Sequence, residues 1–187
     1  MHVSTPTNRM TTRARAVLLA GGAVLAAATL GACAGTPGAA AVVDGHAIST
    51  SQVQAAADQL VELGQQIDVP SVLTLLIQEP TITRLAQERG MGVSDSQARE
   101  LLDQVSQTVG ASVGEYAEGT LAVARYSIAV NGFNADEEGE AIAEEVEEAL
   151  AALDIDVNPR FGELGPSASV AGAAPRAWIV TPQADAS

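Results

Sequence analysis

Ala41-Val42-Val43-Asp44-Gly45-His46-Ala47-Ile48 opens the part of the chain that we expect to fold. Two short apolar runs flank Asp44-Gly45, a dipeptide preferred in the two-residue turns of β-hairpins. Ser49 or Thr50 follows at once, and either residue can cap the N-terminus of a helix. The stretch therefore predicts a hairpin that leads directly into a helix.

Residues 53–90 carry the apolar spacing of two helices. Asp68-Val69-Pro70 predicts the start of the second, with proline in its first turn. The nearly continuous apolar run at residues 72–77 is expected of a central, buried helix. Pro80 predicts a kink or a break, after which the helix resumes and ends near Gly90-Met91-Gly92. The first helix has one apolar face with three- and four-residue steps, formed by Val53, Ala56, Ala57, Leu60, Leu63 and Ile67.

Three more helices and a short strand are predicted after residue 92. Ser94-Asp95-Ser96-Gln97 has the form of a capping box. The next helix is expected over residues 113–130, ended by Asn131-Gly132, and a strongly acidic one over residues 136–153. Residues 154–157 alternate like a strand. The sequence thus predicts a mainly α domain over residues 41–164 with a small β-hairpin. Residues 165–187 are rich in Ala, Gly and Pro and predict a loose tail. Within this tail, Ala177-Trp178-Ile179-Val180 has the character of an edge strand.

The segment before the hairpin has the parts of a secretory signal peptide. Arg9, Arg13 and Arg15 give a positive start, and residues 16–30 are apolar or small and uncharged. This run is shorter than the roughly 20 residues that a membrane-spanning helix needs. We therefore expect residues 1–32 to direct export and to be removed.

Leu30-Gly31-Ala32-Cys33 resembles the lipobox of bacterial lipoproteins. The resemblance implies that the Cys33 sulfur carries a diacylglyceryl group and that cleavage leaves Cys33 as the first residue. Two or more acyl chains give stable anchoring, so we expect the protein to be anchored by lipid on the extracytoplasmic face of the cell membrane. Residues 33–40 are then a flexible tether. The alternative is an ordinary cleaved signal with a chance cysteine nearby.

Charge and composition exclude some classes of partner. All 23 acidic residues but only six of the nine arginines follow Cys33, which leaves the expected 155-residue mature chain with a formal net charge of −17. Such a body is repelled by nucleic acid and by anionic lipid headgroups, so we expect no nucleic-acid partner and membrane contact only through the anchor. After Cys33 no cysteine remains for a disulfide.

Three segments, taken in order, resemble the N-terminal domain of SurA-type extracytoplasmic chaperones, in the lipoprotein form common in actinobacteria. They are residues 41–49, Gly92-Val93-Ser94-Asp95 with Ala98-Arg99, and Asp156 to Gly162. The resemblance implies that the hairpin and the strand at residues 155–157 come together and close the fold. Many relatives carry a parvulin-type prolyl isomerase domain before the last helix, but residues 110–135 cannot hold one. Of the functions of this family, the resemblance therefore implies only polypeptide binding for this chain, without isomerase activity.

Few residues suggest chemistry. A lone histidine beside a turn, His46, is expected to be solvated, and nothing nearby completes a metal site. Residues 134–145 partly fit the twelve-residue calcium loop, but Asn134 stands at position 1 and Ala141 at position 8, so an acidic helix start is favoured. The run Glu144, Glu145, Glu147 and Glu148 is expected to be a solvated face. We therefore expect no enzyme, no metal and no cofactor other than the lipid on Cys33.

The apolar residues that could bind peptide are Val72, Leu76, Leu85 and Leu121. In a SurA-like chaperone they would line a groove between helices, and the alternative is that they form the core. The resemblance implies an ATP-independent chaperone for unfolded or exported polypeptides. A dedicated envelope lipoprotein with one specific protein partner is the alternative function.

Overall fold

A computed structural model describes residues 36–172, which form five helices and five short strands. The predicted signal peptide, Cys33 and the segment Ala177-Trp178-Ile179-Val180 lie outside the described residues. The strands are β1 (Ala39–Val43), β2 (His46–Ser49), β3 (Ile155–Val157), β4 (Glu163–Leu164) and β5 (Val170–Ala171). The helices are α1 (Thr50–Glu62), α2 (Val69–Glu88), α3 (Asp95–Val109), α4 (Glu118–Ala135) and α5 (Gly139–Ala151). The domain is mainly helical with a small antiparallel sheet, as predicted.

The predicted hairpin forms around Asp44-Gly45. Both turn residues have positive φ, 48° and 80°, which is the conformation of a type I′ turn. Val43 pairs with His46 across the turn, and the other edge of β1 pairs with β3, so the strand order is β2-β1-β3. The Asp44 Oδ1 atom also accepts a hydrogen bond from the Asp154 N–H at 2.9 Å. The start and the end of the helical domain are therefore joined, as the resemblance implies.

Three of the predicted helix starts are confirmed. Ser49 caps α1 by accepting a hydrogen bond from the Gln52 N–H, and Asp68 caps α2 through the Ser71 N–H. Ser94 and Gln97 form the reciprocal bonds of a capping box at α3. In each case a short polar side chain satisfies a backbone donor that has no partner within the helix.

Of the predicted kink or break at Pro80, the break is wrong, because α2 continues through this residue to Glu88. Proline in a helix costs about 3 kcal/mol. The Pro80 ring is exposed, whereas Leu76 and Ile77 before it and Ile82 and Leu85 after it are buried. Each buried aliphatic side chain contributes about 1.5–3 kcal/mol, so packing on both sides outweighs the proline.

Two predicted helices have different bounds in the structure. α4 begins at Glu118, five residues later than expected, and continues past Asn131-Gly132 to Ala135. Phe133, which is 6% exposed, packs with Ile82, Leu85 and Ile142, and this burial favours helix beyond the glycine. α5 covers residues 139–151 of the expected 136–153.

Both ends of the predicted domain also extend further than expected. Ala39 and Ala40, assigned to the tether, lie in β1 and are buried. Of the predicted loose tail, residues 165–172 are folded, and Ala168 and Val170 belong to the core. Val170 N–H donates to Thr74 Oγ1 at 2.8 Å. The small side chains that predict a tail here fit closely against α2.

α2 and α4 form the centre of the domain. α4 contacts α1, α2, α3 and α5, and α2 contacts α1, α4 and α5 as well as the sheet and the C-terminal segment. Three apolar clusters surround this pair: one under the sheet, one between α5 and the C-terminal half of α2, and one between α3 and the N-terminal half of α4. No helix among the described residues is long and apolar enough to cross a membrane.

Candidate functional site

The four residues predicted to bind peptide lie in the core. Val72 is 0% exposed, Leu76 5%, Leu85 3% and Leu121 2%. They also belong to three different clusters, with only Val72 and Leu76 in the same one. The predicted groove is therefore wrong for these residues, because α2 and α4 are covered by other elements on the sides where these side chains lie.

An apolar cleft of about 340 Å³ lies elsewhere, between α3 and the end of α1. We call it the α3 cleft. Its partly exposed walls are Ile67 of the α1–α2 loop, Leu75 of α2, Leu101 and Val105 of α3, and Ser127 of α4. Only the structure shows that the face of α3 that carries Leu101 and Val105 is incompletely covered.

The α3 cleft exists because α3 packs mainly on α4 and makes few contacts with α1 or α2. Ala98 and Leu102 are buried on the side of α3 that faces α4. Leu101 and Val105 lie on the same helix as Ala98 and Leu102 but are only half-buried. A helix with an apolar face wider than its one main partner covers leaves part of that face open.

The cleft offers little polar chemistry. The Ser127 hydroxyl donates to the Val123 carbonyl at 2.9 Å, so it is engaged within its own helix. Gln65 and Gln66 are exposed at the rim. The volume is at the small end of ligand sites, which are about 300–1,000 Å³. Apolar walls with a polar rim suit one or two apolar side chains of a polypeptide.

Gln59 of α1 fixes the connection between α3 and α4 by three hydrogen bonds. The Gln59 Oε1 atom accepts the Ala117 N–H at 2.9 Å and the Thr120 hydroxyl at 2.7 Å, and its Nε2 donates to the Glu115 carbonyl at 2.9 Å. Ala117 precedes α4 and has no side chain to cap it. Gln59 of α1 therefore supplies the cap, which sequence analysis did not find because the two residues are 58 positions apart.

The main charged cluster surrounds Arg125. Its Nε donates to Glu79 Oε1 at 2.8 Å, Nη1 to Asp95 Oδ1 at 2.7 Å and Nη2 to Glu118 Oε1 at 2.9 Å. Burial alone would lower the pKa of Arg125, but the hydrogen bonds to Glu79 and Glu118 outweigh it and raise the pKa. Both Arg125 and Glu79 border a second cleft of about 350 Å³ beside the hairpin. With three carboxylate partners this guanidinium ties α2, α3 and α4 together.

The remaining predicted polar residues lie apart from both clusters. His46 is exposed, and its Nδ1 atom lies 3.1 Å from the Asp44 carbonyl oxygen of the same turn. In the segment compared with a calcium loop, Asn134 lies in the last turn of α4 and Glu145 belongs to α5, while the Asp136 Oδ1 atom accepts the Glu138 N–H at 2.9 Å. Within residues 36–172, no group of three His, Cys, Asp or Glu side chains is placed to hold a metal ion.

The predicted acidic face of α5 is exposed, but one member is paired. Glu144, Glu147 and Glu148 are solvated side chains. Glu145 accepts a hydrogen bond from Arg89, and Arg89 also lies 3.7 Å from Glu138. These contacts join the end of α2 to α5 at the surface.

No family model, no curated protein and no solved structure matches this chain.

Proposed function

We propose that this protein is a lipoprotein anchored through Cys33 on the extracytoplasmic face of the membrane, where it binds unfolded or exported polypeptides without ATP. In this proposal it is a SurA-like chaperone that has no catalytic function and no isomerase activity. The observation that supports binding is the α3 cleft, which leaves Leu75, Leu101 and Val105 partly exposed.

The character of the cleft supports a polypeptide ligand. Its walls are aliphatic and its rim carries the amides of Gln65 and Gln66, so it can take an apolar side chain while the rim contacts the peptide backbone. A cleft that makes apolar contacts and few hydrogen bonds binds weakly and discriminates little between peptide sequences. Such binding suits a chaperone whose clients have many different sequences. The net charge expected for the mature chain keeps the domain soluble and favours basic clients.

The pairing of β1 with β3 supports the SurA-like part of the proposal. Asn158, in the Asp156–Gly162 motif, donates its N–H to the Ala40 carbonyl at 2.9 Å and its Nδ2 to the Ala39 carbonyl at 3.0 Å. Ala41 also pairs with Val157 and Val42 with Asp156, so the first and last quoted motifs are in direct contact. The resemblance implies this arrangement.

The experiment is suppression of aggregation of an unfolded model protein by the chain from Ala34 to Ser187, which keeps every described residue. We expect suppression that depends on concentration, with no change in the rate of prolyl isomerisation. Val105→Glu places a charge in the cleft and should abolish suppression. Val61→Glu is the matched control, because Val61 is a helical valine, 59% exposed, outside the cleft. Equal suppression by both variants would refute the cleft as the binding site.

A dedicated envelope lipoprotein with one protein partner is the second candidate. It is favoured by the small extent of the apolar surface. Within residues 36–172 only Val61, Val109 and Leu164 are large apolar side chains with extensive exposure. This candidate predicts no suppression of aggregation at severalfold excess. It also predicts one tight crosslinked complex in membranes, lost in Val105→Glu and kept in Val61→Glu.

A further inference from the structure

The folded part of the C-terminal segment follows α2 towards the start of that helix. Gln78 Nε2 donates to the Ser167 carbonyl at 2.8 Å, and one helical turn earlier Thr74 Oγ1 accepts the Val170 N–H at 2.8 Å. One more turn earlier, a methyl group at Gly172 would lie 3.8 Å from Pro70 Cγ. The segment therefore runs antiparallel to α2 and reaches the first turn of the helix at Gly172.

This course leads to the rim of the α3 cleft. The loop that precedes Pro70 contains Gln65, Gln66 and Ile67, all of which line the cleft. Leu75, on the α2 side of the cleft, lies about 7.5 Å from Pro70 along the helix axis and about 140° around it. Gly172, the last described residue, therefore lies at the first turn of α2, next to the loop that forms part of the rim.

The sequence after Gly172 provides an apolar ligand at a suitable distance. Fifteen residues follow, and their only large apolar side chains are Trp178, Ile179 and Val180. Five residues separate Gly172 from Trp178, and the six steps between their Cα atoms span at most about 20 Å. This reach exceeds the path from Pro70 to Leu75 over the surface of α2, which is roughly 15 Å for this rise and rotation on a helix of about 10–12 Å diameter. The three apolar side chains can therefore arrive at the cleft.

We propose that the segment Ala177-Trp178-Ile179-Val180 docks in the α3 cleft of its own chain. The 340 Å³ of the cleft can hold an indole and one aliphatic side chain, and burial removes both from water. A short tether gives the segment an effective concentration on the order of millimolar. The docked segment then competes with any polypeptide client for the cleft, and a client must displace it. Only this regulatory consequence, and not the docking itself, rests on the proposed function.

Trp178 is the only tryptophan of the protein, so its fluorescence tests the docking directly. In the chain from Ala34 to Ser187, selective excitation of tryptophan should give emission that is blue-shifted from that of the urea-unfolded protein and poorly quenched by acrylamide. Val105→Glu, or the milder Leu101→Ser, should shift the emission to the red and raise quenching severalfold, whereas Val61→Glu should leave both unchanged. Circular dichroism checks that each variant is folded.

Three results would overturn the docking. Emission and quenching in the native protein could equal those in urea, which would mean that Trp178 is solvated. The cleft variants and Val61→Glu could give the same spectra, which would place the indole elsewhere. The emission could also depend on protein concentration, which would mean that the cleft holds the segment of a second copy.

Crosslinking provides a test that does not depend on a cleft variant. The chain from Ala34 contains no cysteine, so Gln66→Cys with Val180→Cys introduces a single pair. Mild oxidation should give a monomeric disulfide rapidly. The control pair, Glu144→Cys with Val180→Cys, should not, because Glu144 is exposed on α5, which does not line the cleft. Equal rates for the two pairs would contradict docking at the cleft.

The regulatory consequence has its own readout. Trp178→Ser with Ile179→Ser, in the chain from Ala34 to Ser187, should bind an unfolded model client severalfold more tightly than the parent chain. If the fluorescence supports docking but neither chain binds a client, the docking stands and the proposed chaperone function fails. If both bind equally, the segment does not compete.

Discussion

Arg125 of α4 and Glu79 of α2 form the most buried ion pair of the described residues, with Nε and Oε1 2.8 Å apart and side chains only 14% and 10% exposed. Glu79 directly precedes Pro80, so the pair fixes α2 at the point where a proline lies in the helix. Asp95 and Glu118 occupy the other guanidinium nitrogens. The four residues therefore join α2 and α4 to the first turn of α3.

Arg125→Met should destabilise the domain by about 3 kcal/mol, because it leaves the buried Glu79 carboxylate without its partner. Arg84→Met is the control, since Arg84 and Glu88 form an exposed pair within one helix that is worth at most about 0.5 kcal/mol. Urea denaturation followed by circular dichroism measures both. Similar losses in the two variants would show that the Arg125 cluster is not structural.

Gly119→Ala should destabilise the domain by about 1–3 kcal/mol, because the added Cβ would lie 2.9 Å from Ala56 Cβ and 3.1 Å from the Gln52 carbonyl oxygen of α1. Gly132→Ala, in the same helix, meets only Met91 Sδ at 3.7 Å. It should stabilise the helix by about 0.5–1 kcal/mol. The midpoint temperature of thermal unfolding should therefore fall for Gly119→Ala and rise for Gly132→Ala, although the two substitutions are identical. Shifts of the same sign would argue against close contact between α1 and α4.

Gln59→Leu should cost about 1–3 kcal/mol, since it leaves the Ala117 N–H and the buried Thr120 hydroxyl without their acceptor. Gln54→Leu, on an exposed position of the same helix, should change the stability by no more than about 0.5 kcal/mol. Hydrogen exchange gives a second readout, because loss of the cap should selectively speed exchange in the first turn of α4. Uniform exchange in the Gln59 variant would contradict the capping role.

The cap of α2 should make stability depend on pH in the acid range. The hydrogen bonds from Ser71 lower the pKa of Asp68 below its usual 3.8, so its contribution is present above that value and is lost as the pH falls through the lower, folded-state pKa. Asp68→Asn keeps a cap that does not titrate. The stability of the wild type relative to this variant should be constant above about pH 5 and decrease below about pH 4. A difference that stays constant down to pH 2 would contradict an ionised cap.

Local signals in the sequence were sufficient for much of the secondary structure. The local signals are Asp44-Gly45, Ser49, Asp68 before Pro70, and Ser94 with Gln97. Each acts on backbone groups within a few residues, so the hairpin and the three capped helix starts follow from neighbours alone. The mainly α class follows from the spacing of the apolar residues. The same reasoning failed at Pro80 and Gly132, where burial of distant partners outweighs a local preference against helix.

The candidate site depended on tertiary structure. Sequence alone determined which side chains of this protein are apolar and on which helix face they lie, because periodicity along one helix is a local property. Only the packing decided which of those faces are covered. Other elements cover the sides of α2 and α4 that carry Val72, Leu76, Leu85 and Leu121, whereas α3 packs mainly on α4 and leaves Leu101 and Val105 partly exposed. Exposure is set by neighbours that are far away in the chain, and so the α3 cleft, the Gln59 cap and the Arg125 cluster appear only when the helices are assembled.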